Sequence, residues 1–122
     1  SLFPIEKREK ELEALSVLDL MSAFAEVLKK KAAMPRKNSY EIEKLECTVE
    51  EKIIFLRSVL VDRRDCRFFE FVNENMSNVE IACCFLAILE LVKQGEAVIQ
   101  QNALFGDIFV VKKDKPEVLG GS

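Results

Sequence analysis

The stretch "VEIACCFLAILELVKQGEAVIQQNALFGDIFVVK", Val79 to Lys112, decides the fold. Twelve of its first fourteen residues are apolar or cysteine, and Ser77 with Glu80 three positions on forms a capping box that opens a helix. Gly95 is a natural helix stop. "EAVIQQ" and "DIFVVK" then read as two strands, joined by "NALFG" with Gly106 as the flexible point of a hairpin. A helix running into a β-hairpin is the closing half of a winged helix.

The opening half lies upstream. "FFEFVNEN", Phe68 to Asn75, reads as a short helix with Phe68, Phe69, Phe71 and Val72 inward. "VDRRDCR", Val61 to Arg67, reads as a loop. Before it, Thr48 and Glu51 form another capping box, and the helix they open carries Val49, Ile53, Leu56 and Leu60 as its apolar stripe. "SYEIEKLE", Ser39 to Glu46, alternates Tyr40 and Ile42 against charges and predicts a short strand. "MPRKNS" is a linker. Residues 10–32 predict a further helix, with Leu12, Leu15, Leu20, Phe24, Val27 and Leu28 at helical spacing. Lys29, Lys30 and Lys31 end it as a solvated run that suits the helix dipole. The expected fold is α+β and mostly helical: a winged-helix domain (three-helix core plus β-hairpin wing) preceded by an N-terminal helix. The expected divisions are residues 1–39 for helix and linker, 40–111 for the winged helix and 112–122 for a tail.

With 122 residues, 49% apolar and 32% charged, the composition is that of a soluble globular chain. No apolar run reaches a membrane-spanning length, and "SLFPIEKREKELE" carries no apolar signal core, so a cytoplasmic setting is expected. The four cysteines, Cys47, Cys66, Cys83 and Cys84, have no C-x-x-C spacing and no histidine to join them. Two of them are adjacent on one helix and point about 100° apart, which does not suit a zinc site. Buried, reduced thiols are the expectation. The chain also lacks a glycine-rich phosphate loop and the G-x-S-x-G and H-E-x-x-H patterns. A cysteine nucleophile would have no imidazole base. No catalysis and no cofactor are expected.

A winged helix suggests DNA binding through the helix before the hairpin. That helix offers Glu80, Glu90, Lys93 and Gln94, and its two acids would repel a polyanion. The net charge of −3 points the same way. At about 100° per residue, these four share a narrow polar face with Val79, Cys83 and Ala87. The rest is an apolar arc of about 220°, twice what one small core requires. Two explanations for the surplus stand side by side. The N-terminal helix folds back over it, or it is a protein interface.

"TVEEKIIFLRSVL", "FFEFV" and "EIACCFLAILELVKQGEAVIQQNALFGDIFV" resemble the C-terminal domain of the bacterial kleisins, the segregation and condensation protein A family. The likeness rests on Phe85 and Leu89 four apart, Gln101 closing a strand, and Phe105-Gly106-Asp107-Ile108 in the turn beyond. "LDLMSAFAEVLKK" resembles the segment just before that domain. The "CC" pair, the neutral tip "QQNALFG" and the tail from Lys112 depart from the family pattern.

The resemblance implies a non-catalytic role in chromosome condensation and segregation. Kleisins bridge the two ATPase heads of a structural-maintenance-of-chromosomes (SMC) dimer, and their C-terminal winged helix docks on one head. A central segment, mostly outside these residues, binds segregation and condensation protein B. DNA is met only indirectly, no membrane is involved, and the setting is the nucleoid. The family's Phe and Leu face the head; carried over, they are Phe85 and Leu89. With Leu86 beside them and Leu104, Phe105 and Ile108 from the wing, they are the candidate docking residues. Ile81, Cys84, Ile88 and Leu91 are expected inward. A nucleic-acid-binding winged helix and a homodimerisation module using the same face are the alternatives. Weak self-association is compatible with the kleisin reading.

Overall fold

Two hydroxyl caps fix where the middle helices begin. Thr48 Oγ1 accepts a hydrogen bond from the Glu51 amide at 3.1 Å, and Ser77 Oγ accepts one from the Glu80 amide at 3.1 Å. These satisfy amides that the first helical turn leaves without partners. The Glu80 carboxylate reaches away from its own cap, to Lys52 Nζ at 3.2 Å. It ties one helix start to another.

The computed structural model describes residues 5–35, 48–101 and 107–114, with side chains from residue 16 onward. In chain order the elements are α1 (Ile5–Ala33), α2 (Val49–Arg63), β1 (Asp65–Arg67), α3 (Phe68–Phe71), α4 (Asn78–Lys93), β2 (Ala97–Gln101) and β3 (Ile108–Lys112). This is an α+β winged helix: three helices of a core, a sheet, and a preceding long helix. The strand expected at 39–46 and the hairpin tip at 102–106 lie outside the described residues.

The sheet has three antiparallel strands in the order β1-β3-β2. Reading Val61 to Arg67 as a loop was an error at both ends. α2 runs on to Arg63, Arg64 turns the chain in the left-handed region at φ 65°, and Asp65–Arg67 pairs with Phe109–Val111. Cys66 is the one inward side chain of that strand, flanked by exposed Asp65 and Arg67. α3 is only one turn, shorter than the reading over 68–75. Phe68, Phe71 and Val72 are buried as expected, but Phe69 lies at the surface. Its ring meets Phe68 edge-on at 5.1 Å and lies under Lys30 Nζ at 5.1 Å.

α1 is part of the core. Leu20, Ala23, Phe24 and Val27 join one buried cluster with Leu56, Phe68, Ile88 and Val110. Phe24 sits edge-on to Phe68 at 4.8 Å and edge-on to Phe85 at 4.6 Å. The helix is also held at its ends. Ser16 Oγ donates to the Ile99 carbonyl at 3.5 Å, and Lys31 Nζ donates to the Met76 carbonyl at 2.7 Å. The lysine run is therefore not a purely solvated helix end. Burying Leu20, Phe24 and Val27 stabilises this arrangement by about 1.5–3 kcal/mol for each side chain. Of the two explanations for the apolar surplus on α4, part is met by α1 folding back.

Phe24→Ala is expected to lower unfolding stability by about 3–5 kcal/mol in urea titrations. A loss below about 1 kcal/mol would mean that α1 only rests on the domain. Burial pushes the Cys66 thiol pKa up, with the Glu70 carboxylate adding to it. A raised folded value means the thiol's contribution is complete below the unfolded-chain pKa. It is lost as pH rises through the folded one. The alkaline fall in melting temperature should be steeper for the native chain than for Cys66→Ala.

Candidate functional site

α4 is the helix before the wing, so its outward face is where a winged helix meets a partner. Its inward side is as expected: Ile81, Cys84, Ile88 and Leu91 are buried. The side expected to be polar is a different matter. Cys83 and Ala87 are buried too, because α2 packs there and Lys52 of α2 takes the Glu80 carboxylate. Small side chains at 83 and 87 let the two helices approach closely, which a polarity plot cannot register. The adjacent thiols are thus both interior, and Cys84 Sγ lies 3.8 Å from the Phe71 carbonyl.

The outward face is apolar and partly covered. Leu86 is 48% exposed and is the one large apolar side chain of α4 that stands clear. Phe85 and Leu89 are half-buried and packed against the core. The Phe85 ring packs roughly perpendicular to Phe24 of α1, with centroids 4.6 Å apart, so only part of it is exposed. Glu90 accepts from Gln94 Nε2 at 2.7 Å, which keeps that acid within its own helix.

The wing supplies less than expected. Leu104 and Phe105 lie outside the described residues. Ile108 is 4% exposed and belongs to the core cluster, so it offers no free surface. The reason is topological: β3 is the middle strand, and its inward positions Ile108 and Val110 are covered by the helices. The outward apolar surface of α4 is exposed Leu86 with half-buried Phe85 and Leu89.

Reading the sequence missed a surface on α1. Leu18, Met21 and Leu28 are 57%, 51% and 46% exposed. Met21, Phe24, Ala25 and Leu28 form one wall of a groove of about 530 Å³, and Ile81, Ala82 and Phe85 of α4 form the other. The signal was present in the sequence: α1 is apolar over most of its circumference between Ser16 and Ala33, not over one stripe.

A second cleft of about 550 Å³ lies between α2 and the wing, bounded by Leu60, Val61, Leu91, Gly95 and Lys112. Arg57 spans its edge, donating through Nε and Nη2 to both carboxylate oxygens of Glu96 at 2.9 and 2.7 Å. That bidentate pair braces α2 against the turn between α4 and β2. Among the described residues, no group of three His, Cys, Asp or Glu is placed to hold a metal ion, and no helix is long and apolar enough to cross a membrane.

The sequence has counterparts among known proteins. The model of the family described as Segregation and condensation protein ScpA matches residues 3–112. Segregation and condensation protein A of Caldanaerobacter subterraneus subsp. tengcongensis is 34% identical over 95 residues, 78% of this chain and 38% of that protein. The protein of the same name from Streptococcus pneumoniae serotype 19F is 33% identical over 98 residues, 80% of this chain and 40% of that protein. The chain therefore spans about two fifths of the length of these relatives.

The burial pattern of α4 separates two substitutions. Leu86→Ser should leave unfolding stability within about 0.5 kcal/mol of the native chain. Phe85→Ala should cost about 2 kcal/mol or more, because the ring also packs on Phe24. Thermal melts of both variants test this, and equal effects would contradict the placement.

Proposed function

This chain belongs to the segregation and condensation protein ScpA family, and on that premise we propose that it is the head-docking part of a kleisin. It binds an SMC ATPase head through the outward face of α4 and performs no chemistry. The mechanism is burial of apolar surface. Leu86 inserts into the head, and Phe85 and Leu89 close round it with the edges that α1 leaves open. Leu104 and Phe105 at the wing tip are further contributors in this proposal. As part of a longer kleisin, the chain would help close the ring that handles DNA at the nucleoid. Contact with segregation and condensation protein B falls mainly to sequence outside these residues.

One observation carries the reading. The element that a DNA-binding winged helix uses for base contacts here presents Leu86, Ala82 and Leu89, with cations absent from its centre. Its acids are engaged within the fold, Glu80 by Lys52 and Glu90 by Gln94. A face of this kind recovers its hydration cost only against another apolar surface.

Leu86→Arg is the sharpest test, because Leu86 is the residue least involved in the core. The variant should fold with an unchanged circular dichroism spectrum. It should lose about 2 kcal/mol of affinity for a purified SMC head, or about thirtyfold in Kd. Leu89→Arg should lose binding as well. Retained head binding by a folded Leu86→Arg chain would refute the assignment.

A further inference from the structure

The cleft between α2 and the wing lies on a different side of α4 from Leu86. Leu91 and Gln94, the α4 residues that line it, stand about 140° and 80° round that helix from Leu86. Docking through the outward face of α4 makes no use of this cleft.

Its floor and its rim differ in chemistry. Leu60 and Leu91 line it and are buried at 3% and 0%, so they form the floor. Val61 is 67% exposed and adds apolar surface at the rim. Gly95 turns the chain past the cleft at φ 73°, and a Cβ there would meet no atom within 4 Å beyond its chain neighbours, so the wall is open at that point.

The charges round the rim do not cancel. Arg57, Lys112 and Lys113 line the cleft, and so do Glu96 and Asp114. Glu96 is held by Arg57 in the bidentate pair, and Asp114 is held by Arg64 from outside the cleft. Among the described residues, no ion pair or hydrogen bond takes the ammonium of Lys112 or Lys113. Both carboxylates are thus matched, and two cations remain above an apolar floor.

The cleft is also shaped in advance. The amides of Lys112 and Lys113 donate to the carbonyls of Arg64 and Glu96 at 2.8 and 3.0 Å, which fixes where both side chains leave the backbone. The Arg57–Glu96 pair fixes the opposite edge. A ligand entering here does not have to order the main chain around it.

These features select an occupant. About 550 Å³ is room for a few side chains of an extended segment. Lysine ammoniums are point charges on flexible stems, so they read charge and not the outline of a small molecule. A nucleic-acid duplex would meet the lysines through its phosphates but would bury nothing against Leu60, Val61 and Leu91. A negatively charged peptide with an aliphatic side chain satisfies both the rim and the floor.

We propose that the cleft between α2 and the wing is a second docking site, and that it takes an acidic, extended segment of a partner protein. An aliphatic side chain of that segment covers Leu60 and Leu91, and its carboxylates meet Lys112 and Lys113. The domain then holds two partners at once, an apolar one on α4 and an acidic one here. The site does not depend on the head-docking reading.

The experiment selects a display library of short random peptides on the native 122-residue chain, and titrates the enriched peptides against the chain and its variants. Enriched peptides should carry aspartate or glutamate close to leucine, isoleucine or valine. Val61→Asp should weaken their binding about tenfold. Lys112→Glu and Lys113→Glu should each weaken it severalfold, with a gap from the native chain that shrinks as salt is added. All three side chains are exposed, and thermal melts check that the variants stay folded. Should Val61→Asp melt early, the two lysine variants decide. The same variants should bind a purified SMC head like the native chain; if they lose the head instead, the cleft belongs to that contact and is not a second site. No enrichment, enrichment of peptides without acids, or peptides that Leu86→Arg releases and the lysine variants retain would each overturn the proposal. So would duplex DNA binding by the native chain that Lys113→Glu abolishes, because it would assign the lysines to phosphate.

Discussion

Phe24 stands edge-on between Phe68 and Phe85, and the rest of the molecule is arranged around those two contacts. With Leu20, Ala23 and Val27, Phe24 buries one side of α1 in the core. With them, α1 crosses the three-helix core and supplies the missing cover for one side of α4. The same contact limits what α4 can offer. Phe85 is neither wholly inside nor wholly outside, because its ring is packed against Phe24. A core interaction thus sets how much apolar surface α4 leaves exposed.

The sheet obeys a similar economy. A hairpin of β2 and β3 alone would be marginal. β1 adds a third strand with three residues, of which only Cys66 points inward. Lys112 and Lys113 close the far end through their amides, which donate to the carbonyls of Arg64 and Glu96 at 2.8 and 3.0 Å. Ion pairs join neighbouring elements: Arg57 of α2 with Glu96 just before β2, Arg63 of α2 with Glu70 of α3, and Arg64 with Asp114 just beyond β3. Each is exposed, so each contributes little stability singly.

What was legible in the sequence was local or periodic. The hydroxyl caps at Thr48 and Ser77, the stop at Gly95, the hairpin strands and the inward set Ile81, Cys84, Ile88 and Leu91 all follow from short-range chemistry. What was not legible depended on a distant neighbour. β1 has a single apolar residue between charges and becomes a strand only because β3 offers an edge. Cys83 and Ala87 looked polar by association, but α2 covers them. Ile108 looked available as part of the wing, yet the strand order puts it beneath the helices. At the candidate site, Leu86 was named as a helper and is the most exposed of the three α4 side chains. Phe85 and Leu89 were placed outward on a wheel that could not know how close α1 would come.

The strand order has a consequence for how the molecule is made. β1 and β2 do not pair with each other; each pairs only with β3. β3 is also the last of the described elements to leave the ribosome. Until residues 108–112 emerge, two strands wait without a ladder, and Cys66 and Ile99 have no sheet to be buried in. The β2–β3 ladder is local, whereas the β1–β3 ladder joins sequence positions more than forty residues apart and must wait for residues 108–112. Until then Asp65–Arg67 has no strand to pair with, so this edge of the domain depends on a segment far along the chain.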